Sequence, residues 1–144
     1  MEGTVKSAES SASAERLFEV ASDLEAYPEW ATAVKEVEVL ATDESGRVTQ
    51  ARFVVAALIR EISYVLNYTY EPPRSITWHA EPGDDIKAME GSYRFEDVDG
   101  GTEVMYALAV EPAFKVPGFL RGQAERQIVS TALRELRKRA EEGA

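Results

Sequence analysis

Cysteine is absent from the chain. Its absence excludes a disulfide framework, a thiolate metal site and a thiol nucleophile together, and it suits a reducing cytoplasm, where the protein is expected to work. Histidine occurs once, at His79, and a lone imidazole without thiolates does not assemble an ordinary zinc site. No apolar stretch approaches the roughly 20 residues that span a bilayer. The opening MEGTVKSAESSASAERLF has neither the basic start nor the apolar run of a secretory leader. There is no Gly-x-Ser-x-Gly elbow of the serine hydrolases. A phosphate-cradling glycine loop is missing too, because Gly100-Gly101 joins two strands rather than opening a helix. Basic charge is scarce: 16 Lys and Arg against 26 Asp and Glu leave a net charge of −10. The deficit lies before Pro117, since the segment from there on holds six basic and four acidic residues. An acidic body repels phosphate backbones and argues against a nucleic-acid partner. The cluster Arg134, Arg137, Lys138 and Arg139 reads instead as the last turns of a helix, complementing its dipole. The expectation is a protein without metal, cofactor or stable membrane insertion.

What is present is the composition of one folded unit. The 144 residues suit a single domain spanning 1–144, long enough to bury a core without staples. Residues 4–10 alternate as a short strand. Ser11 or Ser13 then caps a helix whose apolar face is Leu17, Phe18, Val20, Ala21 and Leu24. A second short helical piece begins at Pro28 and carries Trp30, Ala31 and Val34. From about Val34 the period changes to two, with Val37 and Val39 opposed to Glu36 and Glu38. Asp43-Glu44-Ser45-Gly46 is a hairpin turn, and residues 47–57 and 60–71 read as two strands. Glu71-Pro72-Pro73-Arg74 turns the chain into the strand Ile76 to His79, and Pro82-Gly83-Asp84-Asp85 turns it into the strand 86–97. Asp99-Gly100-Gly101 is a further hairpin before Val104, Tyr106, Leu108 and Val110 alternate along the last strand. Beyond Pro117-Gly118 one long helix runs to about Glu141, with Leu120, Ala124, Ile128, Ala132, Leu136 and Ala140 recurring every four residues and Val129 and Leu133 widening the stripe.

Sequential strands joined by tight turns are antiparallel, and a lone amphipathic helix after them buries its stripe on one face of the sheet. A helix about 10 Å wide need not fill the concavity of a twisted six- or seven-stranded sheet, and the small Ala124, Ala132 and Ala140 favour underfilling. The expected α+β architecture is thus a curved antiparallel sheet gripping a long C-terminal helix, with two short helices after the first strand. Ile62, Tyr64, Leu66, Tyr68 and Tyr70 share one face of a single strand, and Trp78, Phe95 and Tyr106 come from other strands. Such aromatics line an apolar pocket or make a packed core, and periodicity alone allows both readings. The inward face of each strand also stays open, because a slip of one residue exchanges the whole set.

The segments Ala14-Glu15-Arg16-Leu17-Phe18-Glu19-Val20 and Asp23-Leu24-Glu25-Ala26-Tyr27-Pro28-Glu29-Trp30 resemble the N-terminal helix pair of the polyketide cyclase/dehydrase and lipid-transfer group (SRPBCC), within the START and Bet v 1-like superfamily. So do Tyr68-Thr69-Tyr70, Ile76-Thr77-Trp78, Gly91-Ser92-Tyr93-Arg94-Phe95, Gly101-Thr102-Glu103-Val104 and Pro117-Gly118, in this order along essentially the whole chain. The resemblance implies the helix-grip fold and a cavity between sheet and C-terminal helix. It implies ligands that are lipids, polyketides, quinones or plant-hormone-like molecules. It does not imply one activity, since the group includes carriers and receptors as well as aromatase/cyclases.

The residues expected to line the cavity are Tyr64, Leu66, Tyr68, Tyr70, Trp78, Phe95, Tyr106, Phe119, Leu120, Ala124 and Ile128. A cyclase must polarise a ketone and move protons, and Arg52, Tyr68 and Arg121 are the candidates, with Arg94 an alternative to Arg52. The resemblance to the aromatase/cyclases implies an arginine in the strand before the double-proline turn, but Tyr64-Val65-Leu66-Asn67-Tyr68-Thr69-Tyr70 has none. Arg121 and Glu125 lie four apart near the start of the last helix and can pair. His79 alternates with Trp78 and is expected outside, as is Glu90. The leading expectation is a module that binds or carries an apolar or aromatic small molecule. The alternative is a polyketide cyclase, aromatase or dehydratase acting in the same cavity. A third reading is a protein that presents such a ligand to a partner protein of a lipid or polyketide pathway.

Overall fold

Apolar residues that alternate form strands, and those that recur every three or four positions form helices, in the computed structural model, which describes residues 3–57 and 60–142. Strand β1 (Thr4–Ser10) leads to helix α1 (Ala14–Ser22), a single 3-10 turn (Leu24–Ala26) and the one-turn helix α2 (Tyr27–Trp30). Of the two serines able to cap α1, Ser13 does so: its hydroxyl accepts from the Arg16 amide at 3.1 Å. Six strands follow: β2 (Val34–Thr42), β3 (Val48–Ala56), β4 (Glu61–Glu71), β5 (Ser75–Ala80), β6 (Ile86–Val98) and β7 (Gly101–Pro112). Helix α3 (Gly118–Glu142) ends the described chain. Among the described residues no helix is long and apolar enough to cross a membrane.

The seven strands form one antiparallel sheet in the order β1-β7-β6-β5-β4-β3-β2. Each hairpin pairs with the next, and β1 returns to the far edge beside β7, with Thr4 opposite Leu108 and Ser10 opposite Thr102. Gly46 and Gly100 take positive φ (88° and 83°) in the two turns whose sequences announced them. The turn between β3 and β4 closes through the Ala57 amide donating to the Arg60 carbonyl at 2.9 Å. The rest of the expected break there, at positions 58 and 59, lies outside the described residues.

The concave face carries Ala51 and Phe53 from β3, Ile62, Leu66 and Tyr68 from β4, Ile76 and Trp78 from β5, Met89, Tyr93 and Phe95 from β6, and Val104, Tyr106 and Leu108 from β7, all buried. A register shift between Ile86 and Ala88 lets Ile86 join the odd-numbered inward set of β6. At one end of this trough α1 acts as a plug. Phe18 meets Tyr70 and Phe95 edge-on at 6.1 and 6.4 Å between ring centroids, and Arg16 Nε donates to the carbonyl of Ala140 in α3 at 3.3 Å.

Helix α3 packs through Glu125, Val129, Leu133, Leu136 and Ala140. This corrects the every-four stripe expected from the sequence. Each four-residue step overshoots the 3.6-residue turn by about 40°, so Leu120 and Ala140 stand about 200° apart and cannot share a face. Leu120 is accordingly exposed, and so is Phe119, 75% accessible.

Candidate ligand-binding site

Away from the plug, between the concave face and the middle of α3, the core opens into a chamber of about 360 Å³. Strand β4 supplies Ile62, Tyr64, Leu66 and Tyr68; β5 supplies Trp78; β6 supplies Ile86, Met89 and Tyr93; β7 supplies Tyr106, Leu108 and Val110. Tyr27 and Trp30 close it from α2, and Gln127, Ile128, Thr131, Ala132 and Glu135 face it from α3. With Ala124, these helical positions form a stripe of three- and four-residue steps beside the packed stripe, so one helix presents a sealing face and a lining face. Ile128 is 50% exposed although it lines the chamber, because the space reaches the surface there.

Gly91 is part of how the wall is built. It stands opposite Trp78 across the β5–β6 ladder, and a Cβ on it would overlap the indole ring. The missing side chain lets Trp78 lie down over β6 and reach Tyr93 and Tyr106, at 5.6 and 5.7 Å between centroids. Tyr93 and Tyr106 in turn cross edge to face at 4.6 Å.

The polar groups of the wall divide into satisfied and unsatisfied sets. The Tyr27 hydroxyl donates to the Ala21 carbonyl, and the Tyr70 hydroxyl donates to the Val48 carbonyl at 2.6 Å. The hydroxyls of Tyr64, Tyr68, Tyr93 and Tyr106, all four of them residues of the chamber lining, have no hydrogen-bond partner among the described residues. Burial pushes all four phenols well above their ordinary value of 10, and neighbouring tyrosines add to the rise at Tyr68, Tyr93 and Tyr106. At neutral pH the chamber therefore offers uncharged O–H groups for a guest's oxygens. Glu135 stands at its rim, where Oε1 accepts from the Thr32 amide at 3.2 Å.

A second space of about 340 Å³ adjoins the first and shares Ile62, Ile86, Val110 and Ile128 with it. Arg60, Phe114, Arg121, Ala124 and Glu125 complete this vestibule. Glu125 is buried because it serves the sheet: β1 pairs with β7 only as far as Leu108, and Glu125 Oε2 accepts from the Val110 amide at 3.1 Å beyond that point. Its Oε1 accepts from Thr4 Oγ1 at 2.8 Å. The expected Arg121–Glu125 pair does not form; the Glu125 carboxylate is turned to Thr4 and the Val110 amide instead.

The structure thus brings Tyr64, Leu66, Tyr68, Trp78, Tyr106 and Ile128 together around the chamber and sets Ala124 and Arg121 in the vestibule. It does not bring the other expected residues there. Tyr70 and Phe95 pack against Phe18 at the plugged end, and Phe119 and Leu120 face outward from the first turn of α3. Arg52 is on the outer face, paired with Glu38, and Arg94 is exposed, as are His79 and Glu90. Tyr93 is the main omission from the sequence reading; it is two residues before Phe95 and so on the same strand face. Tyr27, Trp30 and Glu135 enter the site through helix packing, which strand alternation does not report.

The sequence profile of the polyketide cyclase / dehydrase and lipid transport family matches residues 10–137. The chain belongs to that family. Its fold is likewise shared: a START superfamily protein from Mycobacterium smegmatis superposes with a TM-score of 0.90 at 25% identity, over 99% of both chains. An aromatase/cyclase from Streptomyces sp. R1128 superposes with a TM-score of 0.80 at 15% identity, over 97% of this chain and 93% of its own. A ginseng major latex-like protein from Panax ginseng reaches 0.73 at 10% identity, over 96% of this chain and 97% of its own. No curated protein sequence matches this chain. At identities this low the likeness to the last two is one of fold.

Proposed function

We propose that this protein binds and carries an apolar or aromatic small molecule bearing oxygen acceptors, such as a lipid, polyketide or quinone, in the cytoplasm. The observation that carries the reading is the chamber of about 360 Å³ lined by four tyrosines whose hydroxyls lack protein partners among the described residues. Its size falls within the range of small-molecule sites, and a mostly apolar wall with a few polar tips is the pattern of such sites. The unpaired phenols favour carbonyl, ether or hydroxyl oxygens on the guest over a pure hydrocarbon.

The neutral fluorophore N-phenyl-1-naphthylamine tests this directly. Saturable emission enhancement at one equivalent is expected for the wild type. Ala132→Trp, which fills the chamber from the helix, is expected to weaken binding at least about tenfold while the fold is kept, because the guest loses apolar surface to bury. No saturable binding, or binding indifferent to the wedge, would remove the proposal.

Cyclisation of a poly-ketone in the same chamber is a second reading, favoured by the protonated phenols, which can donate to a developing enolate oxygen. It lacks the inner arginine: Arg52 is outside and Arg121 is at the mouth. Glu135 is the only carboxylate lining the chamber among the described residues, and turnover abolished by Glu135→Gln would favour this reading over carriage.

A further inference from the structure

The charges around the cavity are not spread evenly. The described lining of the chamber carries no basic residue, and its one carboxylate is Glu135, at the rim beside Thr32. At the mouth the order reverses: Arg60 and Arg121 line the vestibule, and Lys115 joins Arg121 along the adjoining groove. This basic collar sits on a chain whose net charge is −10. Two of the charged groups there are already engaged. Glu125 accepts from Thr4 and Val110 with both oxygens. Arg60 Nη2 donates to Asp85 Oδ1 at 2.9 Å, with the guanidinium over the Phe114 ring, 4.3 Å from its centroid. Arg121 and Lys115 form no ion pair with the described residues, and Arg121 borders both the vestibule and the groove.

We propose that the mouth is an anion subsite and that the guest is an amphiphile: its apolar, oxygen-bearing body lies among the tyrosines and its single anionic end stops at Arg121 and Lys115. The polarity of the site sets this orientation. An anion carried into the chamber would lose water without meeting a cation in a lining whose one described charge is the Glu135 carboxylate. At the mouth it keeps part of its hydration and gains two cations that pair with none of the described residues. The shared chemistry is a terminal carboxylate, sulfonate or phosphate monoester. A planar guanidinium at Arg121 can take two of its oxygens at once. The inference rests on the proposal that the chamber holds a guest, and adds which end of the guest points outward.

Two probes of nearly the same shape separate the two ideas. 1-Anilinonaphthalene-8-sulfonate carries an anion, and N-phenyl-1-naphthylamine has the same aromatic body without it. The wild type is expected to bind the sulfonate more tightly, with affinity falling as salt rises, while the neutral probe does not weaken with salt. Arg121→Gln combined with Lys115→Gln is expected to weaken the sulfonate about fivefold, the scale of a partly exposed ion pair, and to change the neutral probe less than about twofold. Both probes bound with equal salt dependence, or weakened equally by the double variant, would overturn the subsite and leave the cavity proposal standing. Failure of both probes on the wild type would instead defeat the cavity proposal, and the subsite with it. The salt series needs no variant, so the inference stays testable if the substitutions perturb folding.

Discussion

Gly91 and Glu125 show how single positions shape this protein by what they leave free. At Gly91 the absent side chain is space that the Trp78 indole occupies. Gly91→Ala is therefore expected to force the ring from its seat and cost about 1–3 kcal/mol, the range for overpacking a filled core, read as a lower urea midpoint. An unchanged midpoint would mean that the strand shifts to absorb the methyl group. At Glu125 a carboxylate stands where β1 no longer pairs with β7, and it accepts the Val110 amide that the edge leaves unpaired. Neither role is written in the residue's own type. A glycine inside a strand pattern signals close approach, but which ring approaches depends on register. A glutamate four residues from an arginine signals a pair, but the sheet edge holds it instead.

Among the elements, α3 separates two duties on adjacent faces. Leu136 is fully buried on the sealing face, whereas Ile128 is 50% exposed on the lining face. Leu136→Ala is expected to cost about 2–5 kcal/mol, and Ile128→Ala less than about 1 kcal/mol, both by chemical denaturation. Only the second is expected to weaken a chamber probe, in proportion to the apolar surface that the shorter side chain no longer offers the guest. Equal costs would show that the lining face is packed rather than open. The strands were legible in the sequence because alternation has a period of two and turn residues mark its ends. Val104, Tyr106 and Leu108 point inward as a set, as do Leu66 and Tyr68. The helix was legible as an element but not as a face. Small and large apolar residues ran all along it, and the four-residue spacing drifts around the axis. The depth of the α1 plug was also hidden, since Tyr70 and Phe95 look like lining residues until Phe18 is placed against them.

For the molecule as a whole, all six tyrosines are held above their ordinary value by burial. Tyr70, the least enclosed of them, is pushed up to about 12. The sign of the pH dependence follows from linkage. Below about pH 10 the unfolded phenols keep their protons and the fold has its full stability. Above it the unfolded state ionises first, and each phenol still protonated in the fold removes about 1.4 kcal/mol of stability per further pH unit. A steep alkaline transition just above pH 10 is expected, with tyrosinate absorbance rising together with loss of circular dichroism. Tyrosinate appearing well before unfolding would show that water reaches the phenols freely. The fold was legible from element order alone, because hairpins closed by a terminal helix allow few arrangements. The open chamber was not, since packed and hollow cores share one alternation pattern. The hollow also has an optical consequence. The chain has two tryptophans, and both Trp30 and Trp78 border the chamber, so its entire intrinsic indole emission originates beside the guest. An unlabelled occupant announces itself by quenching or energy transfer, without background from a distant fluorophore.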